Sequence, residues 1–197
     1  HLVDEYDARL CKVYQPEDDG PINDKRLWPF YEKAQELGVP LTLHTGVSYV
    51  CPQPNSHCHP SQLDDVALAF PELKLIAYHA GWPYTEELIA LCGKHQNLYM
   101  SLSGVFGWYQ RSPYRGYHAI GTALQWVPAD KIVLGFDLPF DDLPRVTDYI
   151  RDLSMPEELQ EKWGYAQVTD EDKAKILGLN LAKLTGIEPV KRCKPAK

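Results

Sequence analysis

The sequence runs Pro40-Leu-Thr-Leu-His44-Thr-Gly46 in one apolar segment and Leu73-Lys-Leu-Ile-Ala-Tyr-His79-Ala-Gly81 in the next. A third segment of the same design, Lys131-Ile-Val-Leu-Gly-Phe-Asp137, ends in a carboxylate. Each segment has the length and composition of a buried strand, and each carries a metal-ligand type of side chain at its C-terminal tip. In a parallel α/β barrel the loops at that end of the strands converge on one pocket. The three segments therefore predict an enzyme site built around a metal ion.

Helical patterns separate the predicted strands. The strands are expected at 8–14, 40–45, 73–79, 97–102 and 131–137, and the helices between them at about 23–37, 61–70, 84–95 and 118–127. Three more helices are expected at about 142–153, 156–163 and 170–184, the last capped by Thr169 and ended by Gly186. Helices between strands impose parallel pairing with right-handed crossovers, so the fold class is α/β.

Motif content and length decide between an open sheet and a barrel. The chain has no Gly-x-Gly-x-x-Gly and no phosphate-loop lysine motif, which removes the main support for a nucleotide-binding open sheet. Eight strand–helix units need ~250 residues, whereas this chain of 197 residues contains five. We expect a (β/α)8 TIM-barrel type of fold in which residues 1–187 supply about strands 4 to 8 with a helical C-terminal tail, followed by a basic tail at 188–197.

The charge balance and cysteine usage restrict the partners and the compartment. The formal net charge of -7 argues against nucleic acid and anionic membranes as partners. No apolar run approaches the ~18 to 20 residues that a membrane helix needs. Five cysteines are an odd number without the spacing of a disulfide scaffold, which favours the reducing cytoplasm. We expect a small-molecule substrate. The oligomeric state stays open, with a homo-oligomer as one alternative.

Five stretches carry a family pattern when they are read in order: 27–46, 65–83, 97–103, 131–139 and 175–184. The first ends in Leu-Thr-Leu-His44-Thr-Gly46, and the second ends in Tyr-His79-Ala-Gly-Trp-Pro83. Together they resemble the C-terminal part of the amidohydrolase-related metal-dependent hydrolases. This group lies within the amidohydrolase superfamily and includes the aminocarboxymuconate-semialdehyde and resorcylate-type decarboxylases.

The resemblance implies a barrel with one divalent metal ion at its mouth, zinc most often and manganese in some members. By position, His44 at the end of barrel strand five is implied to be a metal ligand. Asp137 at the end of strand eight is implied to be a ligand or the proton-relaying carboxylate. His79 at the end of strand six is implied to polarise the substrate or to shuttle protons, so the predicted catalytic residues are His79 and Asp137.

Loop residues near the mouth are candidates for substrate contact. We expect His59, Trp82, Phe106 and Trp108 there, since aromatic loops can hold an aromatic substrate. Lys12 ends the first strand, where two-metal relatives place a carbamylated lysine; the resemblance to the one-metal group favours a plain basic residue near the mouth instead.

The chain lacks the family's first strand and its His-x-His or Glu-x-His pair, and His57-Cys58-His59 lies in a proline-rich loop that does not match that pair. The remaining ligands are therefore expected from a missing N-terminal barrel segment or from a partner chain. Three functions remain open. They are a metal-dependent hydrolase of a small cyclic or carboxylated molecule, a non-oxidative decarboxylase of an aromatic or muconate-type acid, and an inactive barrel fragment with a structural role.

Overall fold

The computed structural model describes residues 1–14, 20–49, 54–104, 112–138 and 142–189. Within these ranges the strands form one sheet in the order β1-β2-β3-β4-β5, and every pairing is parallel. The strands are β1 Cys11–Val13, β2 Leu41–Leu43, β3 Leu75–Ala77, β4 Leu98–Ser101 and β5 Ile132–Val133. The order follows the sequence without a reversal, which is the strand order of consecutive barrel units.

Among the described residues, one helix precedes β1, one connects each strand to the next, and four follow β5. The helices are α1 Leu2–Tyr6, α2 Trp28–Glu36, α3 Gln62–Ala69, α4 Thr85–Lys94, α5 Pro113–Trp126, α6 Leu143–Arg151, α7 Glu157–Trp163, α8 Asp170–Ala174 and α9 Asn180–Thr185. A π-helical segment, Lys175–Leu179, joins α8 to α9. Because the strands progress in one direction with right-handed crossovers, α2 to α5 cover the same face of the sheet.

Strand side chains alternate between the two faces of the sheet. Leu41, Leu43 and Leu75 pack into the core beneath the helices. Ile76 and Val133 belong to a second cluster on the opposite face, together with Leu184 of α9. In a barrel this second face points to the interior. Alternate side chains of each strand therefore face the helix layer, and the others face the barrel interior.

The predicted order and type of the elements agree with the structure, with three local differences. Helix α5 begins at Pro113 rather than near 118, because proline is well suited to the first turn of a helix. The helix predicted at 170–184 is interrupted by the π-helical segment, and α1 has no counterpart among the predicted elements. Thr169 caps α8 by accepting a hydrogen bond from the Asp172 amide, and Gly186 ends α9, as expected.

The basic tail at 188–197 lies outside the described residues from 190 onward. No helix in the described part of the chain is long and apolar enough to cross a membrane.

Candidate active site

A cavity of about 430 Å³ opens at the carboxyl ends of the strands. His44 follows β2, His79 follows β3 after one residue, and Asp137 follows β5, and all three line this cavity. Trp82 lines it as well. The structure thus brings together four of the residues that the sequence predicted for the site, because each of them follows a strand of the same parallel sheet.

The turn after β2 holds His44 in place. The hydroxyl of Thr45 donates to the backbone carbonyl of Tyr78, which ties this turn to the end of β3. Gly46 has φ +86°, and a Cβ atom there would lie 2.0 Å from the carbonyl oxygen of Trp82. That same carbonyl accepts the amide proton of Val47 at 2.9 Å. The Thr-Gly pair after His44 is therefore needed for the close approach of the two loops.

His44 and His79 contact each other directly. Nδ1 of His44 lies 3.0 Å from Nε2 of His79, and Nδ1 of His79 lies 3.1 Å from the carbonyl oxygen of Ser103. A carbonyl oxygen only accepts, so neutral His79 carries its proton on Nδ1 and accepts the Nδ1 proton of His44 at Nε2. This arrangement leaves Nε2 of His44 as an unprotonated nitrogen with its lone pair available.

Nε2 of His44 is buried, and no group among the described residues forms a hydrogen bond with it. Burial above all, together with the neighbouring His79 and Lys12, lowers the pKa of His44 to about 3. His44 is therefore neutral at physiological pH. A neutral imidazole whose other nitrogen donates to a fixed acceptor is the usual state of a histidine metal ligand.

The backbone brings His79 and Asp137 close to Gly104. His79 has φ 60° and Ala80 has φ 47°, values that residues with a side chain rarely adopt. Gly104 has φ +70°, and a Cβ atom there would lie 2.8 Å from Nδ1 of His79 and 3.2 Å from Oδ2 of Asp137. Strained backbone of this kind is concentrated at functional sites, where the surrounding fold holds it.

The donor set fits a divalent cation in part. A buried imidazole nitrogen without a described partner and the Asp137 carboxylate on the same cavity are ligand types that suit Zn²⁺ or Mn²⁺. Among the residues that the structure describes, however, no group of three or more His, Cys, Asp or Glu side chains is arranged to hold a metal ion. The described residues therefore include ligand types that suit a divalent cation but no complete set of ligands for one.

His59, another predicted substrate contact, lies on a different part of the described structure. His59 sits between Ser61, whose hydroxyl is 2.8 Å from its Nδ1, and Glu87, whose carboxylate is 3.8 Å from its Nε2. It does not line the described wall of the cavity, so its contact with substrate stays a prediction. Phe106 and Trp108 lie outside the described residues.

Tyr14 is a site residue that the sequence interpretation missed. Its ring packs 4.9 Å from that of His44, centroid to centroid, and its hydroxyl lies 2.9 Å from that of Ser48. Tyr14 comes two residues after Lys12 on an alternating strand, so the two residues share a face. The two-residue spacing between Lys12 and Tyr14 was the feature of the sequence that could have identified Tyr14 as a residue of the cavity.

Comparison with known proteins gives the family. A family model described as amidohydrolase matches residues 1–187. The chain belongs to the amidohydrolase family. It is also similar to dihydroorotase from Helicobacter pylori strain HPAG1, at 38% identity over 81 residues, which is 41% of this chain and 22% of that protein. The resemblance noted in the sequence is thereby confirmed.

Solved structures share the fold of this amidohydrolase chain. An uncharacterised TIM-barrel protein from Bordetella bronchiseptica superimposes with a TM-score of 0.71 at 22% identity, covering 93% of this chain and 59% of that one. For 5-carboxyvanillate decarboxylase from Sphingomonas paucimobilis the TM-score is 0.65 at 15% identity, with coverage of 95% and 61%.

A third structure is dihydroxybenzoic acid decarboxylase from Polaromonas, determined with manganese and the inhibitor 2-nitroresorcinol. Its TM-score is 0.57 at 17% identity, with coverage of 84% of this chain and 55% of that one. These likenesses confirm a partial TIM barrel. The chain spans less than two thirds of each of these relatives.

Proposed function

We propose that this chain is part of a metal-dependent hydrolase that acts on a small cyclic or carboxylated molecule through an activated water. The observation that carries the proposal is the buried Nε2 of His44, which no described group satisfies. An unsatisfied buried nitrogen costs roughly 1–3 kcal/mol, and a metal ion removes that cost. Family membership supports the same chemistry.

We assign His44 and Asp137 to a single divalent metal ion, with zinc first and manganese second. When bound, such an ion supplies an electrophile and lowers the pKa of a water molecule to ~7. His79 orients His44 by accepting its Nδ1 proton. In the proposed reaction His79 exchanges that contact for one to the attacking water, accepts a proton from it at Nε2 and passes this proton to the leaving group, because imidazole is the side chain best suited to proton exchange near neutral pH.

Non-oxidative decarboxylation is the second candidate, and the cavity wall is the observation that favours it. Tyr14, Tyr49 and Trp82 line the cavity, so a flat aromatic acid would find ring faces to stack on. The same residues would serve this reaction, since it needs an electrophile at the carboxylate and a proton donor for the carbon that loses CO2.

A product assay separates the two reactions. Metal-replete protein is incubated with aromatic carboxylic acids and, separately, with lactones and cyclic amides, while CO2 and ring-opened product are both measured. Ring opening is expected, and it should disappear in His79→Gln, whereas a His118→Gln control outside the cavity should retain it. Release of CO2 without any hydrolysis would establish the decarboxylase and rule out the hydrolase.

The rest of the metal site is proposed to lie outside this chain. Two donors cannot complete the sphere of a catalytic zinc, which takes three protein ligands and a water. We propose that a preceding barrel segment or a partner chain provides them, because five strands cannot close a barrel. The three described cysteines are free, which supports our proposal of a cytoplasmic protein.

A further inference from the structure

Lys12 lies on the face of the sheet that carries the site. Lys12 of β1 is paired with Thr42 of β2. Two residues later in each segment, Tyr14 follows β1 and His44 follows β2. The side chains at these positions point to one face, since strand side chains alternate. Lys12 is exposed at this face and lines the same cavity as His44, His79 and Asp137.

The ammonium group of Lys12 is surrounded by aromatic rings. Its Nζ lies 5.0 Å from the ring centroid of Tyr78 and 5.6 Å from that of Tyr14, both within the range of cation–π attraction. Among the described residues, no carboxylate forms an ion pair with it. Lys12 therefore brings a full positive charge to the cavity without a described counter-ion.

Lys12 is also close enough to the proposed metal ligand for the two to interact. Its charge contributes to the low pKa of His44, and Tyr14 bridges them by contacting both side chains. The described wall of the cavity contains no Arg and no second Lys. A ring-bearing molecule in the cavity would thus have the metal ligands on one side and a single ammonium group on another.

We propose that Lys12 binds a carboxylate of the substrate and makes the enzyme select anionic ring compounds over neutral ones. This inference rests on the proposed function, because it takes the cavity to be the substrate site. A lysine ammonium binds a carboxylate as a point charge and needs no bidentate geometry. The flanking tyrosine rings restrict the lysine stem, and Trp82 and Tyr49 provide ring faces for the rest of the molecule.

A competing explanation is that Lys12 neutralises a carboxylate in the part of the barrel outside this chain. In that case the ammonium would have a structural partner and would not distinguish a charged ligand from a neutral one. The two explanations differ in one measurable quantity, which is the ratio of affinities for a carboxylate and for its uncharged amide.

The test is calorimetric titration of the full chain with benzoate and with benzamide, two probes of nearly the same shape. Metal is removed first, so that a bound cation cannot attract the carboxylate and a failure of the metal proposal does not affect the result. We expect the wild type to prefer benzoate by about tenfold. Lys12→Met should abolish this preference while benzamide binding is kept, and Lys12→Arg should retain most of it.

Lys25→Met is the matched control, since Lys25 also lies over an aromatic ring, 5.5 Å from the centroid of Trp28, but away from the cavity. This variant should keep the preference for benzoate. The proposal is overturned if the wild type binds both probes equally, or if Lys12→Met weakens both probes to the same extent. The ratio of benzoate affinity to benzamide affinity in the wild type tests the proposal even where a variant fails to fold.

Discussion

The nitrogen atom on which the metal proposal depends is Nε2 of His44. The strand-end positions of His44, His79 and Asp137 were sufficient to predict that these residues share a cavity, because parallel strands end on one side of a sheet. The hydrogen bond between the two histidines could not be predicted in the same way. His79 has a left-handed backbone there, which residues with a side chain rarely adopt and which the local sequence does not signal.

Gly104 is expected to be needed for the geometry of the site. In Gly104→Ala the new Cβ would approach Nδ1 of His79 and Oδ2 of Asp137, so at least one of them must move. We expect activity or metal affinity to fall by about 10–100-fold, as for the loss of groups that orient metal ligands. Activity assays and metal titration measure this loss.

The matched control for that change is Gly38→Ala. Gly38 has φ +65°, close to that of Gly104, but no described atom lies within 4 Å of the position that a Cβ would take there. The control therefore shares the backbone strain without the clash. Equal losses of activity in the two variants would show that the effect comes from general destabilisation and not from displacement of His79 and Asp137.

Among the secondary-structure elements, the C-terminal helix depends on one buried amide. Asn180 begins α9, and its side-chain amide donates to the carbonyl oxygens of Ala129 at 2.7 Å and Ile132 at 2.8 Å. These bonds join α9 to the start of β5. Asn180→Ala leaves both buried carbonyls without this donor, so we expect the free energy of unfolding to fall by about 1–3 kcal/mol.

Chemical denaturation measures the effect of Asn180→Ala, and Asn23→Ala is its control. Asn23 also donates through its amide, to Asp65 at 2.7 Å, but this pair is exposed to solvent. Its loss should change the free energy of unfolding by less than about 0.5 kcal/mol. Similar losses in the two variants would contradict the role given to Asn180.

The elements were predictable to different degrees for physical reasons. Strand order and type followed from apolar segments separated by helical patterns, although the paired strands are shorter than the apolar runs. The start of α5 was missed because the residues before Tyr117 combine a proline, a glycine and aromatic side chains, a composition typical of loops. The π-helical segment itself packs on β5, and local sequence does not encode that tertiary contact.

At the scale of the whole molecule, the sheet formed by the described residues has the strand order of a barrel but not its closure. Strands β1 and β5 end the described sheet, and its inner face carries Lys12 and Ile76. Open strand edges bind other strands readily. Closure by three further strands would cover these edges and would enclose the cavity that holds His44 and Asp137.

Metal content of the complete, folded protein tests the central claim most directly. After loading with Zn²⁺ or Mn²⁺ and extensive dialysis, elemental analysis should find about one equivalent in the wild type and in the His118→Gln control. His44→Gln should retain less than roughly a tenth of an equivalent while keeping its circular dichroism spectrum. A folded His44→Gln variant that holds as much metal as the wild type would contradict the account.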